Sequence, residues 1–531
     1  MKKNRFIALA LAAGMTFCNV AATGVVAYAE TQTTTTTKIT VPAADKHNYE
    51  IYQIFTGELS TDENNKQVLS NVKWGENGTG TAGADVQKTT LDTIAAITGT
   101  DAEKAAALKN YADLTSTPAF TVNSNSSVDV PYGYYLIKDA DAIAEGDEAT
   151  LYIVQVVGPT EVARKAGTTE AHKLLDDAND SNPNDEATNG TLQTSSDYDI
   201  GDEVPYHITA KLSDKVEQYK KYHITFVDTL QSGSFDAIST LDIKLDGQAI
   251  ENTDDYTVEI TGVDARTKNG FEVTIEWTPK DGKTLESLNG KTVTIDFTAT
   301  LGEGAKIGSE GNTNKFNLKY SNNPNDEDGS DEGETPEETV ITFTYKLVVN
   351  KVDQDENPLT GAEFALYKVS SDYVLPETGD AKSKGEHAAA EGTAIQSYTA
   401  TKNQATDSLP AGTQFTFKGI DDGRYVLVET TTPTGYNTID PQVFDVTATH
   451  GGKENKALSL DSLTGDKVSG EIILTRDTSD NDALKATIMN QKGTVLPSTG
   501  GMGTTILYVI GGILVIGGGA AIFIKRKKDA E

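Results

Sequence analysis

The chain has 531 residues, with 45 Lys and Arg against 79 Asp and Glu and a formal net charge of -34. Its mean hydropathy is -0.39. So acidic a surface excludes a nucleic-acid binder and a ligand for anionic lipid. The only cysteine, Cys18, lies in the amino-terminal segment, so the rest of the chain can be neither a disulfide scaffold nor a thiol enzyme.

In chain order, Lys2, Lys3 and Arg5 precede an apolar stretch from Phe6 to about Val26, and Ala27-Tyr28-Ala29 precedes Glu30. This pattern predicts a secretory signal peptide over 1–29 with a small-residue cleavage site. The Thr-rich run Thr31 to Thr37 reads as a disordered leader. Beyond it, β-branched or alternating runs predict strands at Tyr49 to Phe55, Tyr134 to Lys138, Leu151 to Val157, Tyr222 to Val227, Thr292 to Thr298, Val340 to Val349 and Arg424 to Glu429. Many short strands with polar turns predict β-sandwiches. Between Ala84 and Tyr111 the spacing changes: Leu91, Ile94 and Ile97, then Leu108 and Tyr111, recur at helical intervals. A helical insertion is expected there.

Runs rich in Asp, Asn, Glu, Gly and Pro at Asp176 to Asn189 and Ser321 to Glu338 interrupt the strands, the first as a loop and the second as a linker. The expected division is 30–163, 164–335 and 336–495, three β-sandwich domains of about 130, 170 and 160 residues. Gly133-Tyr134-Tyr135-Leu136-Ile137-Lys138-Asp139 and Gly423-Arg424-Tyr425-Val426-Leu427-Val428-Glu429 form a weak repeat, so the outer two domains are expected to share a strand plan. The region 496–531 opens with Leu496-Pro497-Ser498-Thr499-Gly500, continues through an uncharged run from Thr504 to Ile524, and is followed by Lys525, Arg526, Lys527 and Lys528. That run would span roughly 31 Å as a helix, one bilayer core, with the positive charge left on the cytoplasmic side.

This ordered ending resembles the cell-wall sorting signal of Gram-positive surface proteins. The resemblance implies that a sortase cysteine attacks the Thr499 carbonyl and Gly500 leaves. The membrane would then hold the chain only transiently, before its transfer to peptidoglycan.

A second resemblance is carried by Tyr345-Lys346-Leu347-Val348-Val349-Asn350-Lys351-Val352-Asp353, by Pro358-Leu359-Thr360-Gly361-Ala362-Glu363-Phe364-Ala365-Leu366-Tyr367, by Tyr425 to Tyr436, and by Ile488-Met489-Asn490. Together these segments resemble the collagen-adhesin B-type domain of Gram-positive pilins, with Tyr425 to Tyr436 similar to that family's E-box. The likeness implies a bond from Lys351 to Asn490 promoted by Glu429. Strand parity permits it, because Leu347, Val349 and Lys351 share a face, as do Tyr425, Leu427 and Glu429, and as do Ile488 and Asn490. Burial would disfavour both charges, leaving a neutral amine as nucleophile and a neutral acid to assist.

The middle region, with Lys173-Leu174-Leu175-Asp176-Asp177, Ile200 to Tyr206, Tyr222 to Leu230 and Gly311 to Pro324, resembles the middle domain of the same pilins. Lys173, Asp228 and Asn314 are the expected set, with Asn312, at the same parity, as the alternative amide. The first region, with His47 to Phe55, resembles their amino-terminal domain; Asp139 occupies the E-box-like position but no asparagine lies near the last strand, so no internal bond is expected there. Polymerisation requires an exposed lysine near the first junction. Relatives mark it with a Tyr-Pro-Lys motif that is missing here, and Lys165 stands in the corresponding place.

The expected role is therefore a structural backbone subunit of a covalent pilus, serving adhesion or colonisation. Its expected partners are sortase, identical subunits, accessory pilins and peptidoglycan, and the alternative is a wall-anchored monomeric adhesin. No turnover enzyme, cofactor or metal is expected. Gly78-Thr79-Gly80-Thr81-Ala82-Gly83 stands without a βαβ unit, the six histidines have no usual ligand spacing, and the acidic runs lack an EF-hand pattern.

Overall fold

The computed structural model describes residues 36–61, 67–98, 101–143, 148–149, 153–155, 160–162, 167–177, 192–326, 329–395, 401–402, 409–450 and 458–493. The signal peptide, Lys165 and the whole Leu496 to Gly500 signal with its apolar run lie outside these residues. Among the described residues no helix is long and apolar enough to cross a membrane.

The molecule is mainly β, built as three sandwich-like units. In the first, a five-stranded sheet is centred on Tyr49–Thr61 and Gly133–Asp139, and a three-stranded sheet holds Thr36–Thr40 between Ser127–Pro131 and Thr160–Glu161. The helical insertion takes the form of two helices, Lys88–Ala95 and Asp101–Lys109. Ile94 and Leu108 are fully buried from them, with Leu91, Ile97 and Tyr111 packed at the margin, so the expected spacing is the face that meets the sheet. Gly78 and Gly80 serve close packing: a Cβ on Gly80 would lie 2.3 Å from the Trp74 indole nitrogen.

The second unit stacks two seven-stranded sheets. One carries Glu170–Asp176 beside Glu203–Lys211 and Thr292–Leu301; the other carries Tyr222–Leu230 between Gly270–Pro279 and Asn312–Ser321. Period-two burial along Glu203–Lys211 and Thr292–Leu301 turns Val204, Tyr206, Ile208, Val293, Ile295 and Phe297 inward.

The run Val340 to Val349, expected as one strand, is two. Glu338–Phe343 completes the second unit by pairing with Asn312–Ser321, and Tyr345–Asp353 opens the third by pairing with Gln414–Ile420. The break falls at Thr344, whose carbonyl accepts from Gly308 N at 2.8 Å and whose hydroxyl donates to Ile420 O at 3.3 Å. An unbroken apolar run therefore passes from one core to the next, with hydrogen bonding deciding where it changes sheets.

The third unit has two five-stranded sheets. Its first and last strands, Tyr345–Asp353 and Ala483–Asn490, lie parallel with Lys351 opposite Ile488. Gly423–Thr431 runs centrally in the other sheet, between Glu363–Val369 and Gln442–His450. Gly133–Asp139 holds the same place between two antiparallel neighbours in the first unit, so the repeated segment is a repeated strand. A helix not expected from sequence, Ala381–Glu391, lies over this sheet with Ala388 buried among Val369, Val426, Val428 and Val443.

Candidate functional site

Two buried constellations match the expected residues. In the middle unit Lys173 sits at the centre of Glu170–Asp176 and points between the sheets, 1% exposed. Its Nζ donates to Asp228 Oδ2 on the facing sheet, a pair with fully buried side chains. The ammonium end also lies 4.9 Å from the Tyr206 ring and 5.2 Å from the Phe297 ring, which stack on one another. Glu338 holds the strand from outside, accepting from Lys173 N at 2.7 Å.

Asn314 enters from Asn312–Ser321, opposite Leu230 in register, which puts it diagonal to Asp228 on the same face. It is fully buried, and neither Nδ2 nor Oδ1 has a hydrogen-bond partner; Asp228 Oδ1 is also without one. Asn312 is buried but spoken for: its Oδ1 accepts from Lys306 N at 2.7 Å, and its Nδ2 donates to Lys306 O and Thr342 O at 3.0 and 3.1 Å. Burial pushes the Asp228 carboxyl up, opposed by Lys173, and burial pushes the Lys173 amine down, opposed by Asp228. Both shifts run toward the neutral forms.

In the third unit Lys351 is 1% exposed and donates to Ile488 O at 3.1 Å and Val352 O at 3.2 Å. Burial lowers its pKa to about 8, against the opposing pull of Glu429 and Asp353. Asn490, two residues along the adjacent strand from Ile488, is fully buried and donates from Nδ2 to Glu429 Oε2 at 3.0 Å and Asn437 O at 2.9 Å. Glu429 Oε2 further accepts from Thr432 Oγ1 at 3.1 Å and Ile439 N at 3.3 Å. Glu429 Oε1 and Asn490 Oδ1 have no partner.

Buried polar atoms are almost always hydrogen-bonded, and each that is not costs about 1–3 kcal/mol. Such orphans occur elsewhere among the described residues too, but the amide and the acid of each constellation carry at least one apiece. The arrangement has a chemical outlet: a neutral lysine amine can attack the amide Cγ, charge develops on Oδ1, and the acid can carry a proton from Nζ to the departing Nδ2.

Reasoning from sequence missed Tyr206, Phe297 and Glu338 around Lys173. Parity marks Tyr206 and Phe297 as inward, but it does not say that their two strands, far apart in sequence, are neighbours. In the first unit Asp139 lies 2.8 Å from His47 Nδ1.

Against this geometry, residues 345–460 match the prealbumin-like fold domain family, and residues 488–531 match the LPXTG cell wall anchor motif. The chain is 24% identical over 389 residues to the trypsin-resistant surface T6 protein of Streptococcus pyogenes serotype M6, a match covering 62% of this chain and 65% of that one. It thus spans just under two thirds of that relative's length. Among solved structures, the T6 backbone pilin of serotype M6 Streptococcus pyogenes aligns with a TM-score of 0.49 and 16% identity over 86% of this chain and 99% of that one. The major pilin SpaD of Corynebacterium diphtheriae aligns with a TM-score of 0.43 and 18% identity over 86% and 97%. The chain is accordingly a cell-wall-anchored surface protein carrying a prealbumin-like domain.

Proposed function

We propose that this chain is the repeating backbone subunit of a covalent surface pilus, joined by a sortase from Thr499 of one copy to Lys165 of the next and hardened by two internal Lys–Asn bonds. The observation that carries the reading is the recurrence, in two domains, of a buried lysine on the opening strand, a buried acid, and a buried asparagine whose amide oxygen has no partner. The anchor motif and the relationship to the trypsin-resistant surface T6 protein of Streptococcus pyogenes support the cell-surface side of the proposal.

In the middle domain the set is Lys173, Asp228 and Asn314. Asn314 is preferred to Asn312 because Asn312's amide is fully committed to Lys306 and Thr342. In the third domain it is Lys351, Glu429 and Asn490. Each lysine Nζ attacks Cγ of its asparagine, a C–N bond forms as the C–Nδ2 bond breaks, and ammonia leaves with the proton that Nζ gives up. The two acids are held at opposite ends of this shuttle, Asp228 on the nucleophile and Glu429 on the leaving nitrogen. Each bond forms once and does not turn over, so the protein is a structural element and not an enzyme. The proposed domain division keeps the expected first junction and moves the second from 335/336 to Thr344, because Glu338–Phe343 pairs within the middle unit.

The deciding experiment is the intact mass of the secreted chain, residues 30–495, which retains every described residue. Each bond releases ammonia, a loss of about 17 Da, so a deficit of about 34 Da is expected. A full sequence mass would overturn the internal bonds. On the cell surface, a ladder of covalent multimers lost in Lys165→Ala is expected; a single anchored band in the unsubstituted chain would indicate a monomeric adhesin.

A further inference from the structure

The contact between the middle and third domains buries a group of acids that the cross-link chemistry does not use. Asp177 and Asp197 come from the middle domain; Asp421, Asp422 and His450 come from the third. Asp197, Asp421 and Asp422 each place a carboxylate oxygen within 4.8 Å of the others, and Asp177, Asp197 and the His450 ring do the same. The four aspartates are exposed by 3% or less. Lys368, at 2.9 Å from Asp199 and 3.0 Å from Asp421, balances part of this charge. Taking further carboxylates out of water costs several kcal/mol each without a counter-charge.

An independent sign comes from Asp197, 2% exposed, whose Oδ2 has no hydrogen-bond partner. This residue is not on a pliable loop. It ends the short strand Ser195–Asp197, which pairs in parallel with Glu338–Phe343. Asp421 and Asp422 occupy the tight turn between Gln414–Ile420 and Gly423–Thr431, where Asp422 N donates to Asp421 Oδ1 at 2.6 Å. His450 is held by Ser195 Oγ at 2.8 Å from Nδ1 and by Asp177 Oδ2 at 3.3 Å from Nε2. The ring therefore orients the cluster from its edge, and oxygen dominates the centre.

We propose that Asp197, Asp421 and Asp422 form a divalent-cation site that clamps the middle domain to the third, with calcium as the ion and Asp177 and His450 as supporting groups. Three carboxylates from two domains give the hard, all-oxygen donor set that calcium prefers, whereas zinc favours nitrogen and sulfur. Millimolar calcium outside the cell is within reach of even weak extracellular calcium modules. Occupancy would turn mutual repulsion across the junction into attraction, stiffening it as a shaft requires.

The test uses the secreted chain 30–495, stripped with a chelator and then titrated with calcium alone, with magnesium and zinc as separate probes. Calorimetry is expected to show one calcium per chain, and thermal unfolding is expected to shift upward with about 1 mM calcium. Asp197→Asn should abolish both responses, yet its metal-free melting temperature should equal or exceed that of the stripped parent, because a crowding carboxylate has gone. A purely structural hydrogen-bonding role would lower it. If the parent chain binds no calcium and melts identically with and without it, the proposal fails, whether or not the variant folds. Calcium binding that survives in Asp197→Asn, or a preference for zinc, overturns the assignment equally.

Discussion

A lysine amine that must act as a nucleophile has to be neutral, and burial is what makes it so at moderate pH. For Lys351 the folded value is about 8, below the ordinary 10.5. A depressed lysine binds its proton more weakly in the fold than in the unfolded chain, so it penalises folding below about pH 8, and the penalty fades as pH rises toward 10.5. In Asn490→Ala, where the amine persists, denaturant midpoints should therefore rise between pH 8 and 10; the proposed bond would make the parent's nitrogen an amide, and that rise should then be missing. A second expectation belongs to the acids. On the proposed chemistry, Glu429→Ala and Asp228→Ala should each reduce the mass deficit against the sequence by about 17 Da, and the double variant by about 34 Da, read by intact mass. Asn312→Ala should leave the deficit unchanged while costing about 1–3 kcal/mol, since it strips main-chain partners from Lys306 and Thr342.

Among the elements, the helix Ala381–Glu391 shows how a segment with little apolar periodicity can still be held. Its buried contacts are small, Gly385 and Ala388, and a Cβ on Gly385 would lie 2.7 Å from Val428 Cγ1. Small residues allow the helix to lie close to Gly423–Thr431, which explains why that strand is buried on both faces, with Val426 and Val428 turned toward the helix while Tyr425 and Leu427 face the main core. Asp380 caps its start by accepting from Ser383 N at 2.8 Å. Asp380→Ala should cost about 1 kcal/mol in urea denaturation of the third domain, and a larger loss would mean that the helix organises the sheet beneath it.

For the molecule as a whole, the junctions matter as much as the domains. Glu148, from the first unit, is buried against Thr169 and Ser213 at distances of 3.2 and 2.9 Å. Burial raises its pKa to about 7, opposed by hydrogen bonds from Ser213, Tyr219 and Thr169. A raised carboxyl binds its proton more tightly in the fold, so its contribution is full below about pH 4.5 and is lost as pH rises through 7. Hydrogen-exchange protection at the first junction, corrected for the intrinsic base-catalysed rate, should fall from pH 5 to 8, and Glu148→Gln should flatten that dependence. In the third unit, a bond from Lys351 to Asn490 would close 139 residues, a restraint of about 4–5 kcal/mol by chain-entropy reasoning. Under tension the bridge between the parallel terminal strands would take the load directly, so Lys351→Ala should convert a domain that does not extend in single-molecule pulling into one that does.

Much of this was open to reading along the chain because it is local. The β class follows from period-two burial, the helical insertion from Leu91, Ile94, Ile97 and Leu108, and the cell-wall destination from the order of motif, apolar run and basic tail. Face parity also put Lys351, Asn490 and Glu429 on inward positions, since alternation along a strand is imposed by backbone geometry. What parity cannot supply is which strand lies beside which. The choice of partner for Asn312, the split of Val340 to Val349 at Thr344, the aromatic walls around Lys173 and the meeting of Asp197 with Asp421 and Asp422 all join residues far apart in sequence. Those pairings arise only when two sheets stack and two domains dock, because the energy that selects them comes from burial summed over whole faces and not from any local pattern.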